Sequence, residues 1–276
     1  MPTWITTPEL VDRYPIFFLD AWGVLMDDAG PRPDAAAFIA TLREAGARLA
    51  VLSNDASATP DRLAGKLATV GVRPDEIVNG ARLIAAAVTQ RGLTQKRCLV
   101  LGTDDAHANV AASGALPVRP DELADSDDFE AVILCSEEGY AFPRAIEALV
   151  TSLFMKLDRG ERVPLLLANP DIIAPTSPRS WGVAAGAMAA LLEAALRQRY
   201  PLASHAFEPL GKPAALAFET ARAITGDGAA VMIGDQIRTD IVGANRAGLD
   251  SALLSESEPP PFTTDDGTPT WLLRRL

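Results

Sequence analysis

The sequence has few of the residues that build disulfide frameworks and zinc sites, since its 276 residues include two cysteines and two histidines. Cys98 and Cys135 each lie in an apolar run without C-x-x-C or metal-site spacing, which indicates free core thiols in a reducing compartment. His107 and His205 are too far apart in sequence to indicate a ligand cluster, so we interpret them as structural or exposed. These shortages argue against a disulfide scaffold and against a zinc centre.

Basic residues are also scarce relative to acidic ones. The chain carries 25 lysines and arginines against 36 aspartates and glutamates, which gives a formal net charge of −11. An acidic surface does not attract nucleic acid or an anionic membrane, so we expect neither as the main partner. A small anionic substrate stays compatible with this balance, because a metal and a few local donors outweigh a distant net charge.

Long hydrophobic runs are missing as well. No window of the sequence approaches the ~18–20 apolar residues of a membrane span. The first residues include Glu9 and Asp12 and have no long apolar stretch, which argues against a signal peptide. We therefore expect a cytoplasmic protein. Whether it forms a homo-oligomer is left open by the sequence.

Apolar residues, at 48 % of the chain, are sufficient for a large core. Short apolar runs alternate with helical patterns, which predicts a doubly wound α/β fold with a parallel sheet. The length suits two α/β units. The predicted strands are 16–19, 48–52, 99–101, 131–135, 163–167, 231–233 and 251–254, with helices predicted at 143–158 and 182–200.

The first candidate site residue is Asp20, which directly follows the predicted strand 16–19. An acid at the C-terminal end of a parallel strand lies where open α/β sheets bind ligands. Gly23 allows the chain to turn sharply after it. An aspartate that only caps the strand end explains this segment equally well.

Two further segments carry groups that bind phosphate. Ser53 and Asn54 follow the predicted strand 48–52, and both side chains donate hydrogen bonds that suit phosphate oxygens. Lys212 stands between a glycine and a proline before a predicted helix, which fixes the position of its ammonium group. Taken alone, each segment is also typical of an ordinary turn or a solvated loop.

A pair of acids follows the strand 231–233. Asp235 comes directly after Gly234, and Asp240 lies five residues further on. Carboxylates at adjacent strand ends supply the oxygen ligands that a hard cation such as Mg²⁺ needs. The sequence therefore predicts a Mg²⁺ site near these acids.

In order and spacing, the four segments resemble the four motifs of the haloacid dehalogenase-like hydrolases over about residues 15–254. Roughly 160 residues separate Ser53 from Lys212, which is enough for an inserted α/β cap domain. Within this insert, Asn169-Pro170-Asp171 resembles the Asn-Pro-Asp segment of the class IIA, NagD-like phosphatases. An ordinary turn is the alternative interpretation of this tripeptide.

The resemblance implies a phosphatase mechanism. Asp20 would attack phosphorus as the nucleophile and form an aspartyl-phosphate. Asp20, the backbone carbonyl of Trp22 and Asp235 would hold Mg²⁺, and Asp240 would support the metal site. The substrate would be a small phosphorylated metabolite.

The resemblance also implies roles for the remaining motif residues and a division into domains. Ser53 and Lys212 would bind the phosphoryl oxygens, and Trp22 and Asn54 would lie beside the substrate. Asn169, Pro170 and Asp171 would contact the substrate from the cap. Residues 1–79 and 183–276 would form the catalytic core, and residues 80–182 would form the cap.

Trp22 departs from the family pattern. Most phosphatases of the superfamily have a second aspartate here, which protonates the leaving oxygen and then activates water, and such help is worth ~10²–10⁴-fold. An indole does neither. One interpretation is a phosphatase that works without this acid or with a substitute among Asp27, Asp28 and Asp55. The others are a non-catalytic protein that binds a phosphorylated metabolite and a metal-free dehalogenase, which has little use for the acids after strand 231–233.

Overall fold

The computed structural model describes residues 2–27, 29–123, 128–177, 180–259, 262 and 264–276. Strands and helices alternate along these residues, and each predicted strand is present with its ends shifted by at most two residues. The strands are β1 (Thr3–Ile5), β2 (Ile16–Asp20), β3 (Met26–Asp27), β4 (Gly30–Pro31), β5 (Arg48–Leu52), β6 (Ile77–Val78), β7 (Arg97–Leu101), β8 (Leu116–Val118), β9 (Ala131–Leu134), β10 (Leu165–Leu167), β11 (Ile173–Ser177), β12 (Ser180–Val183), β13 (Glu208–Pro209), β14 (Ala230–Gly234), β15 (Asp250–Leu254) and β16 (Trp271–Leu273). The helices are α1 (Thr7–Arg13), α2 (Ala35–Glu44), α3 (Pro60–Leu67), α4 (Gly80–Gln90), α5 (Asp104–Ala112), α6 (Arg144–Asp158), α7 (Ala185–Arg199), α8 (Ala215–Thr225) and α9 (Val242–Arg246).

The chain divides into two compact units. The first unit consists of Met1–Ser53, Pro60–Val78 and Lys212–Leu276. The second unit consists of Asn54–Thr59 and Asn79–Gly211. The chain therefore passes from one unit to the other at Ser53 and returns for the last time at Lys212.

The first unit is built on a seven-stranded sheet with the order β1-β16-β15-β14-β2-β5-β6. Every neighbouring pair in it is parallel. From β2 the chain adds β5 and β6 on one side and later returns to add β14, β15 and β16 on the other. The strand order thus reverses between β2 and β14, and open α/β sheets bind ligands at the carboxyl ends of strands at such a point. This topology confirms the doubly wound fold.

Apolar side chains fix β2 at the centre of this sheet. All five residues of β2 are buried, as expected for a parallel strand that is covered on both faces. Phe17 packs edge-on against Phe38 of α2, with ring centroids 6.2 Å apart, and the same hydrophobic cluster includes Leu42 of α2 and Leu63 of α3. Burial of these side chains holds the end of β2, and so Asp20, on a rigid support.

The second unit has a sheet of its own, with the order β13-β10-β9-β7-β8. Its neighbouring strands are parallel, and β11 and β12 form a separate antiparallel hairpin. Helix α6 confirms the predicted helix 143–158, and its apolar stripe packs in the hydrophobic cluster of this unit. Among the described residues, no helix is long and apolar enough to cross a membrane.

The boundary of the second unit differs from the one that the sequence suggested. Residues 183–211 were expected to belong with Asp20, but they lie in the second unit. The reason is the apolar face of α7, which places Ala185, Leu192 and Leu196 in the hydrophobic cluster of that unit. Helix α7 also begins at Ala185 rather than at 182, because Ser180–Val183 forms β12.

Glu76, in the first unit, is a buried acid held by two arginines. Its carboxylate accepts hydrogen bonds from Arg43 Nη1 at 2.5 Å, from Arg43 Nη2 at 2.6 Å and from Arg73 Nη2 at 2.7 Å. Burial raises the pKa of Glu76, but these hydrogen bonds lower it by more, so its pKa lies below the ordinary 4.5. Glu76 therefore stabilises the fold fully above about pH 4.5, and this contribution is lost as the pH falls through the lower folded pKa.

Replacement of Glu76 with glutamine is expected to lower the free energy of unfolding at pH 7 by about 2 kcal/mol. This is less than for a fully buried ion pair, because Arg43 and Arg73 stay partly hydrated. Urea denaturation at pH 7 and near pH 3 measures the effect, which should shrink at the lower pH. The matched control is Glu258→Gln, since the ion pair of Glu258 with Arg274 is exposed. An equal loss for both variants would contradict this account.

Candidate active site

Asp20 and Lys212 form the centre of the candidate site in the first unit. Asp20 is the last residue of β2 and is 4 % exposed, and Lys212 is 3 % exposed. Lys212 Nζ donates to Asp20 Oδ1 at 2.6 Å and to Asp240 Oδ1 at 2.7 Å. The Ala21 N–H also donates to Asp20 Oδ1, at 2.8 Å. The carboxylate of Asp20 is thus held in one orientation at the carboxyl edge of the sheet.

Asp235 and Asp240 complete the cluster. Asp235 follows β14, the strand next to β2, and Asp240 is fully buried in a π-helical turn at Ile237–Ile241. The Gln236 N–H donates to Asp240 Oδ2 at 3.1 Å, which fixes that carboxylate within its own loop. Carboxylate oxygens of Asp20, Asp235 and Asp240 all lie within 4.8 Å of one another.

Two glycines make room for these acids. A Cβ atom on Gly23 would overlap the carboxylate of Asp235, and Gly23 also has a left-handed φ of +87°. A Cβ atom on Gly234 would overlap the side chain of Asp240. The group that approaches the backbone of Gly234 is therefore the side chain of Asp240.

Burial and neighbouring charges shift the pKa values of Asp20, Asp235 and Lys212. Burial and the negative charge of Asp240 raise the pKa of Asp20 well above its ordinary value, although Lys212 acts in the opposite direction. Burial and the charge of Asp240 raise the pKa of Asp235 to about 6, although Asp235 is the most exposed of the three acids. Burial lowers the pKa of Lys212, but the carboxylates of Asp20 and Asp240 raise it by more.

The donor set fits a divalent cation. The three carboxylates outnumber the ammonium group of Lys212, which pairs with two of them, so the cluster carries an excess of negative charge. Its ligand atoms are hard oxygens of the kind that Mg²⁺ and Ca²⁺ bind. A dication at this place would relieve the mutual repulsion that raises the pKa of Asp20 and Asp235.

Ser53 and Trp22 are the other two predicted site residues of the first unit. Ser53 is buried and follows β5, whose register pairs Leu52 with Asp20, so Ser53 comes one residue beyond the end of that pairing. Trp22 is half-buried and packs against the hydrophobic cluster of the first unit. It also forms an isolated bridge with Met26. The indole of Trp22 therefore contributes to packing.

The sequence offers Asp27, Asp28 and Asp55 as substitutes for the missing aspartate, and the structure describes the hydrogen bonds of two of them. Asp27 Oδ1 accepts a hydrogen bond from the Ala29 N–H at 2.8 Å, at the turn between β3 and β4. Asp55 lies in the second unit, where its Oδ1 accepts from the N–H and the hydroxyl of Ser57 at 2.9 and 2.7 Å. Asp28 lies outside the described residues.

The other predicted site residues come together within the second unit. Asn169, Pro170 and Asp171 follow β10, and Asn54 Nδ2 donates to Asp171 Oδ1 at 3.0 Å. This hydrogen bond joins residues 117 positions apart in the chain. Gly211 packs against the same group, next to Asn54 and Pro170. No pattern in the sequence predicts this contact, because Gly211 stands out there only as the glycine before Lys212.

Models of two families match the chain on both sides of the long insert. A haloacid dehalogenase-like hydrolase model matches residues 17–115, and a HAD-hydrolase-like model matches residues 209–270. Together they cover more than half of the sequence and include Asp20, Ser53, Lys212, Asp235 and Asp240. The chain belongs to the haloacid dehalogenase-like hydrolases.

Its relatives are named as phosphatases. Dihydroxyacetone phosphatase from Corynebacterium glutamicum is 28 % identical over 86 % of this chain and 80 % of its own length. A possible sugar phosphatase from Cytophaga hutchinsonii has the same fold, with a TM-score of 0.82 and 23 % identity over 100 % of this chain and 98 % of its own.

A third similar protein has been solved with metals. Glycerol phosphate phosphatase from Mycobacterium tuberculosis in complex with magnesium has a TM-score of 0.77 and 24 % identity over 95 % of this chain and 75 % of its own. In complex with calcium it has a TM-score of 0.70 and 26 % identity over 89 % of this chain and 67 % of its own.

Proposed function

We propose that the protein is a Mg²⁺-dependent phosphatase that hydrolyses a small phosphorylated metabolite through an aspartyl-phosphate on Asp20. The observation that carries this proposal is the buried contact of Asp20 with Lys212, next to Asp235 and Asp240. The relatives support the substrate class, since their names refer to dihydroxyacetone, sugar and glycerol phosphates. The magnesium and calcium complexes of one relative support a divalent cation.

In the first step, a carboxylate oxygen of Asp20 bonds to phosphorus while the ester P–O bond breaks and the leaving oxygen takes a proton from solvent water. Lys212 holds Asp20 and places a positive charge beside the phosphoryl oxygens, and Ser53 donates a hydrogen bond to one of them. Mg²⁺ held by Asp20, Asp235 and the backbone carbonyl of Trp22, with Asp240 in support, would neutralise charge on the transferring group.

In the second step, water attacks phosphorus and gives up a proton to the solvent, the bond to Asp20 breaks, and phosphate leaves while the carboxylate is restored. Both steps need a proton carrier, and the indole of Trp22 offers neither an acidic proton nor a basic lone pair. We therefore expect a substrate with a good leaving group to react fastest. We expect breakdown of the aspartyl-phosphate to be the slower step.

The proposal is tested with a panel of aryl phosphates and small phosphorylated metabolites, in Mg²⁺ and in a chelator. Phosphate release in Mg²⁺ that stops in the chelator is the expected result. The rate of the first step, measured as kcat/KM, is expected to fall as the leaving group becomes a stronger base, because no acid at position 22 assists departure. Equal turnover with and without the chelator would contradict the Mg²⁺ dependence.

The second candidate function is a non-catalytic protein that binds a phosphorylated metabolite, and Trp22 is the observation that favours it. The same panel separates the two functions. Saturable, Mg²⁺-dependent binding of a phosphate ester without turnover would favour the binding protein. A metal-free dehalogenase is disfavoured, because Asp235 and Asp240 repel Asp20 unless a cation is bound.

Replacement of Trp22 with aspartate is expected to raise turnover of esters with poor leaving groups by about 10-fold or more, because it supplies the missing acid and base. The matched control is Trp22→Asn, which makes the same loss of packing without an ionisable group. Initial rates of both variants are compared with the wild type. If Trp22→Asp gains nothing over Trp22→Asn, another residue already carries the proton and this part of the account is wrong.

We further propose that the second unit is the cap of this family. The resemblance of Asn169, Pro170 and Asp171 to the Asn-Pro-Asp segment of NagD-like members supports a role of this loop in the reaction. Solved structures that share the fold are named for different substrates, which supports the view that such inserted residues select the substrate.

A further inference from the structure

The chain passes between its two units next to two residues of the proposed catalytic machinery. Ser53 is the last residue of the first unit before the chain enters the second, and Asn54 follows it. Gly211 is the last residue of the second unit, and Lys212 follows it. Asn54 and Gly211 are therefore each joined by one peptide bond to a residue of that machinery, Ser53 or Lys212.

Within the second unit, both of these linking residues meet the same loop, Asn169–Asp171. Asn54 Nδ2 donates to Asp171 Oδ1 at 3.0 Å. Gly211 packs so tightly there that a Cβ atom would lie 2.6 Å from Asn54 Oδ1 and 2.9 Å from Pro170 Cδ. Real Cβ contacts are not this short, so the residue at 211 has to be glycine for the three segments to meet.

The loop itself is firmly held. Asn169 Oδ1 accepts a hydrogen bond from the Asp171 N–H at 3.0 Å, and the Gly186 N–H at the start of α7 donates to Asp171 O at 2.9 Å. A Cβ atom on Gly186 would overlap the backbone oxygen of Pro170. A loop held by an internal hydrogen bond and by a backbone hydrogen bond from α7 is a suitable anchor for the two linking residues.

We propose that Asp171 is a positioning residue that, through Asn54 and with Gly211, sets the backbone of Ser53 and Lys212. The proposal rests on the proposed phosphatase function and changes the role expected for Asp171 from substrate contact to support of the catalytic residues. Phosphate-binding groups displaced by about 1 Å lose up to ~10²-fold in rate. The loss of rate falls on all substrates alike, because Ser53 and Lys212 bind the phosphoryl group, which all the substrates have in common.

The test compares Asp171→Ala, Asn54→Ala, the double variant and Asp171→Asn on an aryl phosphate and on a metabolite hydrolysed by the wild type. Each alanine variant is expected to lower kcat by about 10-fold or more on both substrates with little change in KM. The double variant should be no worse than either single one, because both remove the same contact. Asp171→Asn should retain most activity, since its amide oxygen still accepts from Asn54.

Two controls separate positioning from general loss of structure. Asp121→Ala removes an exposed acid of the same unit, and Gly65→Ala adds a Cβ atom in open space, in contrast to Gly211→Ala. Both controls should leave kcat unchanged, whereas Gly211→Ala should lower it. Urea denaturation shows that the variants are folded under assay conditions.

A higher KM for the metabolite alone, or effects of Asp171→Ala and Asn54→Ala that multiply, would overturn the inference in favour of substrate contact. If the wild type hydrolyses no ester, the proposed function fails while the inference is still tested by binding. Orthophosphate with Mg²⁺ then serves as the probe, with tryptophan fluorescence as the readout. The alanine variants should raise its Kd and Asp171→Asn should not, and an unchanged Kd in all of them would overturn the inference.

Discussion

Replacement of Asp20 with asparagine is expected to lower Mg²⁺-dependent phosphate release by about 10³-fold or more, because the amide cannot form the covalent bond to phosphorus. The substitution has nearly the same shape and keeps an oxygen that accepts from Lys212. Burial and Asp240 raise the pKa of Asp20, so the charged carboxylate is costly in the fold. We therefore expect the asparagine variant to be no less stable than the wild type.

Initial rates on the fastest aryl phosphate measure this effect, with urea denaturation as the check on folding. Asp12→Asn is the matched control, since Asp12 is exposed on α1 and its change should leave the rate unaltered. Activity of Asp20→Asn above about a tenth of the wild type would mean that another group attacks phosphorus or activates water directly.

Replacement of Lys212 with methionine is expected to lower the free energy of unfolding by about 3–5 kcal/mol in a chelator, because Asp20 and Asp240 would be left buried without a positive partner. Mg²⁺ should restore part of this stability, since a dication among the three carboxylates replaces the missing charge. Catalysis should be lost in either condition, because the charge beside the phosphoryl oxygens is gone.

Urea denaturation of Lys212→Met with and without Mg²⁺ provides the test. Lys66→Met is the control for the loss of a lysine as such, because Lys66 is an exposed residue of α3. Stability in the chelator equal to that of the wild type would show that Asp20 and Asp240 do not depend on Lys212 for compensation. A stability that Mg²⁺ leaves unchanged would count against a cation at the cluster.

The central strands could be predicted because burial on both faces demands continuous apolar runs, as in Ile16–Asp20 and Arg48–Leu52. The strands Thr3–Ile5 and Trp271–Leu273 were not predicted. Each has three residues and lies at or next to the edge of the sheet, where they pair with each other. Gly182 and Val183, at the end of the strand Ser180–Val183, were predicted as the start of a helix, because the hairpin partner of this strand is defined only by tertiary pairing.

In the candidate site, too, features that follow from a local pattern could be predicted and tertiary contacts could not. The positions of Asp20, Ser53 and Asp235 could be predicted because each stands at the carboxyl end of a buried strand, and parallel strands end at one edge of a sheet. Packing at a distance in sequence could not be predicted. The contact of Asn54 with Asp171 depends on how α7 and β10 pack, and no pattern near either residue indicates it. The packing of Trp22 against the hydrophobic cluster of the first unit is likewise a contact that no local pattern indicates.

The most direct test of the account is to look for the phosphoryl group on Asp20. The enzyme is mixed with an aryl phosphate in Mg²⁺ and quenched in acid within the first turnover. After digestion, the mass of the peptide that contains Asp20 is measured by mass spectrometry. Because Trp22 cannot activate water, we expect the aspartyl-phosphate to accumulate, with a burst of alcohol product that matches the enzyme concentration. Sustained Mg²⁺-dependent turnover with no burst and no phosphoryl group on that peptide would contradict the central claim.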